Sequence, residues 1–203
     1  GYFSSDSGET KIAVVRPIHT TDKPRPVLAF VTYVQRHAER IAEEAFYEPF
    51  AEWLTTELEE CTRAIALGGS RFRDKWGTPD VLGVREPKKS DIIKPPTEIV
   101  SAEIKLDRSG LITAFGQACA YTLFSHRSYI VVPRQSSEDD VARLDGLCRT
   151  LGVGLILFDS TSPDDPRFEI RVRAAKHDPD MFYVNKYVKL VEEDLFQMWP
   201  PSN

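Results

Sequence analysis

Apolar positions along the chain follow two different periods. Five short runs are continuously apolar and closed by turn residues: "TRAIALGG" (62–69), "DVLGVRE" (80–86), "TEIVSAEIKL" (97–106), "SYIVVP" (128–133) and "VGLILFD" (153–159). Runs of this length, rich in Val and Ile and bounded by Gly, Pro or Asp, read as buried strands. "FEIRVR" (168–173) alternates apolar and charged residues, as an edge strand does. Between these runs the period lengthens to that of a helix, over 36–59, 110–126, 137–152 and 185–199. Pro49 predicts a kink or split in the first helix. Ser109 is the predicted N-cap of the second, Gly152 ends the third, and Pro200 and Pro201 stop the last. Upstream, "KIAVVRPI" (11–18) and "VLAFVTYV" (27–34) read as short β-rich pieces of an N-terminal extension, 1–35, separated by a proline-bearing loop.

The order from 36 onward is helix, three strands, helix, strand, helix, strand. Short links make the first three strands an antiparallel meander, and strands that each follow a helix add in parallel. The expected fold is an α/β domain with a mixed central sheet flanked by helices. Its core spans 36–159, and the strand and helix of 160–203 are appended to the same domain. The length of 203 residues suits one such domain. No apolar run reaches 18 residues, so no membrane span is expected. Cys61, Cys119 and Cys148 are odd in number and far apart, which points away from a disulfide framework or zinc site and toward a reducing, cytoplasmic setting. A net charge of −5 argues against a broad phosphate-gripping surface, so any nucleic-acid contact rests on local patches.

Within the third strand, Glu103 and Lys105 are two apart and share a face. Asp80 opens the preceding strand in "GTPDVLG". Adjacent strands bring Asp80 and Glu103 to one end of the sheet, and paired carboxylates are what Mg²⁺ recruits beside water and phosphate. The backbone carbonyl of Ile104 is a further candidate ligand, and Lys105 is placed to orient water or offset phosphate charge. The bland alternative is that Glu103 and Lys105 belong to a salt-bridge ladder on a solvated face.

Pro79-Asp80 followed by Glu103-Ile104-Lys105 resembles the signature of the PD-(D/E)XK nuclease superfamily, which has the restriction-endonuclease-like fold. The resemblance implies a core of helix, three-stranded meander, helix and strand, with the acids on the second and third strands. It also implies a metal-dependent nuclease using Mg²⁺, with Mn²⁺ as a substitute. Gln117 and Tyr121, four apart on the next helix, are similar to the Gln-X-X-X-Tyr feature of RecB-like members. Gln117 then reaches phosphate or a metal-bound water, or else makes a structural hydrogen bond. Tyr121 is either a nucleic-acid contact or core. Many members add a glutamate from the first helix. Helical phase sets Glu43 nearest the face of Phe46, Tyr47, Phe50, Trp53 and Leu54, while Pro49 keeps Glu44 and Glu52 open.

Two loops carry the concentrated positive charge: Arg71, Arg73 and Lys75 with Trp76 in one, and Lys88, Lys89 and Lys94 in the other. Both are expected to flank the site and contact nucleic acid, unless they are simply solvated charge. DNA is the expected substrate over RNA, by analogy with the resembled family. The rival reading is a catalytically silent nuclease fold that binds nucleic acid or protein in a larger assembly. The segments 1–35 and 160–203 are candidate surfaces for a homodimer or a partner protein.

Overall fold

A computed structural model describes residues 41–196. The strands expected over 11–18 and 27–34 lie outside the described residues, as does the end of the last helix. Helix α1 (Tyr47–Thr56) follows a 3-10 turn, Glu43–Phe46. Strands β1 (Arg63–Ala66), β2 (Val81–Arg85) and β3 (Glu98–Ile104) come next, then α2 (Leu111–Tyr121), β4 (Arg127–Pro133), α3 (Glu138–Leu151), β5 (Gly154–Phe158) and β6 (Glu169–Val172). Two short helices, α4 (Met181–Val188) and α5 (Glu192–Leu195), close the described chain.

Among the described residues the strands form one mixed sheet in the order β1-β2-β3-β4-β5-β6. The first three pair antiparallel, and the links between them carry no helix. Strands β4 and β5 add in parallel after their crossover helices, and β6 returns antiparallel at the edge. The continuous apolar character of β3 follows from its place between two layers, since all seven of its residues are buried. On one face, Phe46, Phe50 and Leu54 of the first helical segment pack on Val100, Ala102, Ile104, Val131 and Ile156. On the other, Ala114, Phe115 and Ala118 of α2 and Leu144 and Cys148 of α3 meet Ile130, Val132 and Leu155. The C-terminal helices extend that second layer over Leu82, Val84 and Ile99.

Three local expectations need correction. Pro49 neither kinks nor divides α1, because it lies in the helix's first turn, where a missing N–H costs no intrahelical bond. The cap ahead of α2 is Asp107, whose carboxylate accepts from the Ser109 N–H at 2.9 Å; Ser109 itself lies inside the 3-10 turn Arg108–Gly110. The single helix expected over 185–199 is divided: α4 begins at Met181, four residues early, where Asp180 accepts from the Phe182 N–H, and a 3-10 turn, Lys189–Val191, separates it from α5.

A buried ion cluster fastens the C-terminal segment to the sheet. Arg127 reaches Glu60 at 3.1 Å, Glu98 at 3.3 Å and the Ala174 carbonyl at 2.8 Å. Arg173 completes Glu60 at 2.6 Å, and Lys176 completes Glu98 at 2.6 Å. Each buried carboxylate is thus paired, as a low-dielectric site demands.

Candidate functional site

The meander brings the candidate acids to one end of the sheet. Val81 pairs with Ala102, so Asp80, just ahead of β2, lies beside the last residues of β3. The Asp80 N–H still donates to the Ala102 carbonyl at 3.0 Å. Its carboxylate then accepts the Ile104 N–H at 2.7 Å, standing in for the next rung of the ladder. The hydroxyl of Tyr47 also donates to this carboxylate. Room for the Tyr47 ring comes from Gly68: with φ +61, a Cβ there would lie 2.7 Å from Tyr47 Cε2.

Glu103 points to the α2 face and is 7% exposed. It accepts the Tyr121 hydroxyl at 2.8 Å. Burial and this bond rule out the solvated salt-bridge ladder for Glu103. Lys105, half-buried, lies 3.6 Å from Glu43 Oε2, which also accepts the Leu106 N–H at 2.8 Å. Glu43 therefore enters the site from the 3-10 turn, on the side its helical phase indicated. Gln117 is half-buried on α2 and bonds Tyr121.

The charge balance of this cluster is unfavourable as it stands. Three carboxylates, Asp80, Glu103 and Glu43, face a single ammonium, Lys105. Burial pushes the Glu103 carboxyl up to about 8, with the nearby Asp80 charge adding to it; the bond from Tyr121 and the Lys105 charge act the other way. Burial likewise raises Asp80 to about 6, opposed by the bonds from Tyr47 and Ile104. Both shifts arise chiefly from burial: ionised oxygens here lose water, and the one nearby ammonium does not make up for it. A divalent cation supplies the missing positive charge, so the donor set fits a hard, oxygen-seeking ion. Among the described residues no three His, Cys, Asp or Glu side chains form a ready-made metal cage. Two carboxylates completed by water and phosphate is the usual protein share of a Mg²⁺ site.

The other expected contacts divide by position. Arg71, Arg73, Lys75 and Trp76 lie in the β1–β2 connection, which ends at Asp80. Arg71 is already paired with Asp194, while Arg73, Lys75 and Trp76 are exposed. Lys88, Lys89 and Lys94 do not flank the site. They lie in the β2–β3 turn, at the far end of both strands, and a rise of ~3.3 Å per residue puts them on the order of 15 Å away. Tyr121 is not a surface contact either: it is 1% exposed, and its hydroxyl serves Glu103. Tyr47 falls on the apolar face of the sequence pattern and reads there as core; its spacing of four from Glu43, on one helical side, is the signal that links it to the site.

The α/β class with a mixed sheet flanked by helices is thus established, and no helix of the described residues is long and apolar enough to cross a membrane. Searches with the chain against family models, curated proteins and solved structures return no match.

Proposed function

We propose that the chain is a metal-dependent nuclease of the PD-(D/E)XK type, hydrolysing phosphodiester bonds, with DNA as the expected substrate. The observation that carries this reading is the convergence of Asp80, Glu103, Lys105 and Glu43 at one sheet end, with both strand carboxylates buried and short of positive charge. The element order of helix, meander, helix and strand, with the acids on the second and third strands, supports it.

Asp80 and Glu103 would hold Mg²⁺ or Mn²⁺, with the Ile104 carbonyl as a further chain donor, and the bound ion would supply acidification of a water and polarisation of a phosphoryl oxygen. The chain's own residues do the rest. Tyr47 and Tyr121 donate to the two carboxylates and fix their orientation. Glu43 holds Lys105, whose ammonium orients the attacking water and offsets negative charge gathering on the phosphate. Gln117, beside Tyr121, offers an amide donor to a phosphate oxygen. Water adds to phosphorus and gives up its proton to solvent, the bond to the sugar oxygen breaks, and that oxygen leaves and is protonated from solvent.

The test incubates the protein with end-labelled and circular single- and double-stranded DNA, and with RNA, in Mg²⁺, Mn²⁺ or EDTA. Cleavage is expected with metal only, and Lys105→Ala is expected to slow it by about 10²–10³-fold. No cleavage by the folded protein on any substrate, or cleavage indifferent to Lys105→Ala, would refute the reading. Tyr121→Phe keeps the ring and removes the donor to Glu103. It is expected to weaken Mg²⁺ binding by about 10–100-fold, measured by titration calorimetry; unchanged affinity would separate Tyr121 from the metal site.

A further inference from the structure

The β1–β2 connection and α4 enclose a second feature beside the acidic site. A pocket of about 380 Å³ is walled by aromatic rings, among them Trp76, Tyr121 and Tyr187. That volume is in the range of small-molecule sites, ~300–1,000 Å³. Trp76 is 66% exposed, an unusual state for so large an apolar side chain. Its loop is not loosely held. Asp74 accepts the Trp76 N–H at 3.1 Å, the Tyr187 hydroxyl at 2.8 Å and the Lys186 ammonium at 3.1 Å, tying the loop to α4. These donors, Tyr187 first, hold the Asp74 carboxyl down to about 2.

The pocket's chemistry is aromatic and cationic together. Lys186 Nζ lies 4.9 Å from the Tyr187 ring centre, and Lys75 stands exposed on the same rim. Two ammonium groups against the one carboxylate of Asp74 leave the rim positive, in a chain that is acidic overall. The pocket also adjoins the site through one side chain. Tyr121 lines it, and the Tyr121 hydroxyl is the donor to Glu103. At Gly77, the residue after Trp76, an added Cβ would lie 3.4 Å from Tyr121 Oη and 3.8 Å from Gln117 Nε2. The Trp76 loop therefore runs beside Tyr121 and Gln117.

We propose that this pocket takes an unpaired nucleobase of the substrate strand, stacked on Trp76, with Lys75 and Lys186 neutralising the adjoining phosphates. The inference rests on the nuclease reading and narrows it: the preferred substrate is a single strand or an unpaired end. A base inside an intact duplex cannot present its face to Trp76, whereas an unpaired base offers a flat apolar face with an anion beside it.

The test measures binding without catalysis. Fluorescently labelled oligo-dT, oligo-U, an abasic strand of equal length and a blunt duplex are titrated with the full chain in EDTA at low salt. Oligo-dT or oligo-U is expected to bind about tenfold more tightly than the abasic strand and the duplex. Trp76→Ala is expected to remove that advantage, and Trp76→Phe to keep most of it. Circular dichroism verifies that both variants fold. Equal affinity for the abasic strand and oligo-dT, or no effect of Trp76→Ala, overturns the pocket. The nuclease reading is judged separately by Lys105-dependent cleavage. Cleavage indifferent to Trp76 sinks only the pocket, and Trp76-dependent binding without cleavage sinks only the nuclease.

Discussion

Glu103→Gln is expected to cut cleavage by on the order of 10³-fold while making the metal-free protein more stable at pH 8. The two effects have one cause. Glutamine keeps the shape of the side chain and its acceptor for Tyr121, but it removes a charge that the fold buries beside Asp80. In the native chain Glu103 gives up its proton only near about 8, whereas an unfolded chain releases it near the ordinary 4.5. Between those values the native state holds the extra proton. Native stability therefore falls as pH rises through that window, at about 1.4 kcal/mol per pH unit for each proton involved. Asp80, raised to about 6, adds to the same slope at its lower end. The measurement is urea unfolding from pH 5 to 8, in EDTA and in Mg²⁺. Wild type is expected to lose stability with rising pH in EDTA and to regain it in Mg²⁺; Glu103→Gln is expected to show a shallower slope and little response to the ion. Equal slopes for the two proteins would mean that Glu103 is not held protonated by the fold.

Gly154→Ala is expected to destabilise the protein by about 3 kcal/mol. Gly154 begins β5 opposite Tyr129 of β4. A Cβ at Gly154 would lie 2.2 Å from Tyr129 Cδ1 and 2.9 Å from the Ala174 backbone nitrogen. Neither neighbour has an easy escape. Tyr129 is fully buried in the α1-side core, and the Ala174 carbonyl is held by Arg127 of the ion cluster. Thermal unfolding checks it, with a fall of about 6–12 °C expected for a chain of this size. A change within 1 °C would mean that the β4–β5 pair yields more readily than its packing implies. Tyr129→Ala in the same background tests the cause: removing the ring is expected to relieve most of the added methyl's cost and to leave the part that falls on the Ala174 backbone.

Much of the architecture follows from local patterns. Each strand of the described sheet coincides with a continuous or alternating apolar run, because burial on two faces or one is written directly into side-chain periodicity. The presence or absence of a helix in each link then distinguishes the parallel crossovers from the antiparallel meander. The acidic end of the site was legible for the same reason. Strand parity aligns Glu103 with Lys105, the meander brings Asp80 alongside, and helical phase picks Glu43 from several glutamates.

The remainder depends on meetings between segments far apart in the chain, which no local period encodes. Tyr121 looked equally like a surface contact and a core residue; only the approach of α2 to β3 turns its hydroxyl onto Glu103. The lysines of the β2–β3 turn seemed to flank the site because they are close in sequence to both acids, yet antiparallel strands send that turn to the opposite end of the sheet. Asp74 reads as an ordinary loop residue until α4 supplies Tyr187 and Lys186, and Glu60 as a surface acid until Arg127 and Arg173 enclose it. By itself, the sequence determined the α/β class, the directions of the first five strands and the identity of the strand-borne charges, since these arise from residues within one element or its nearest neighbours. Tertiary structure alone decided which polar groups are buried, which partners orient them and which cations stand near the acids, because those outcomes depend on the desolvation and pairing that packing imposes.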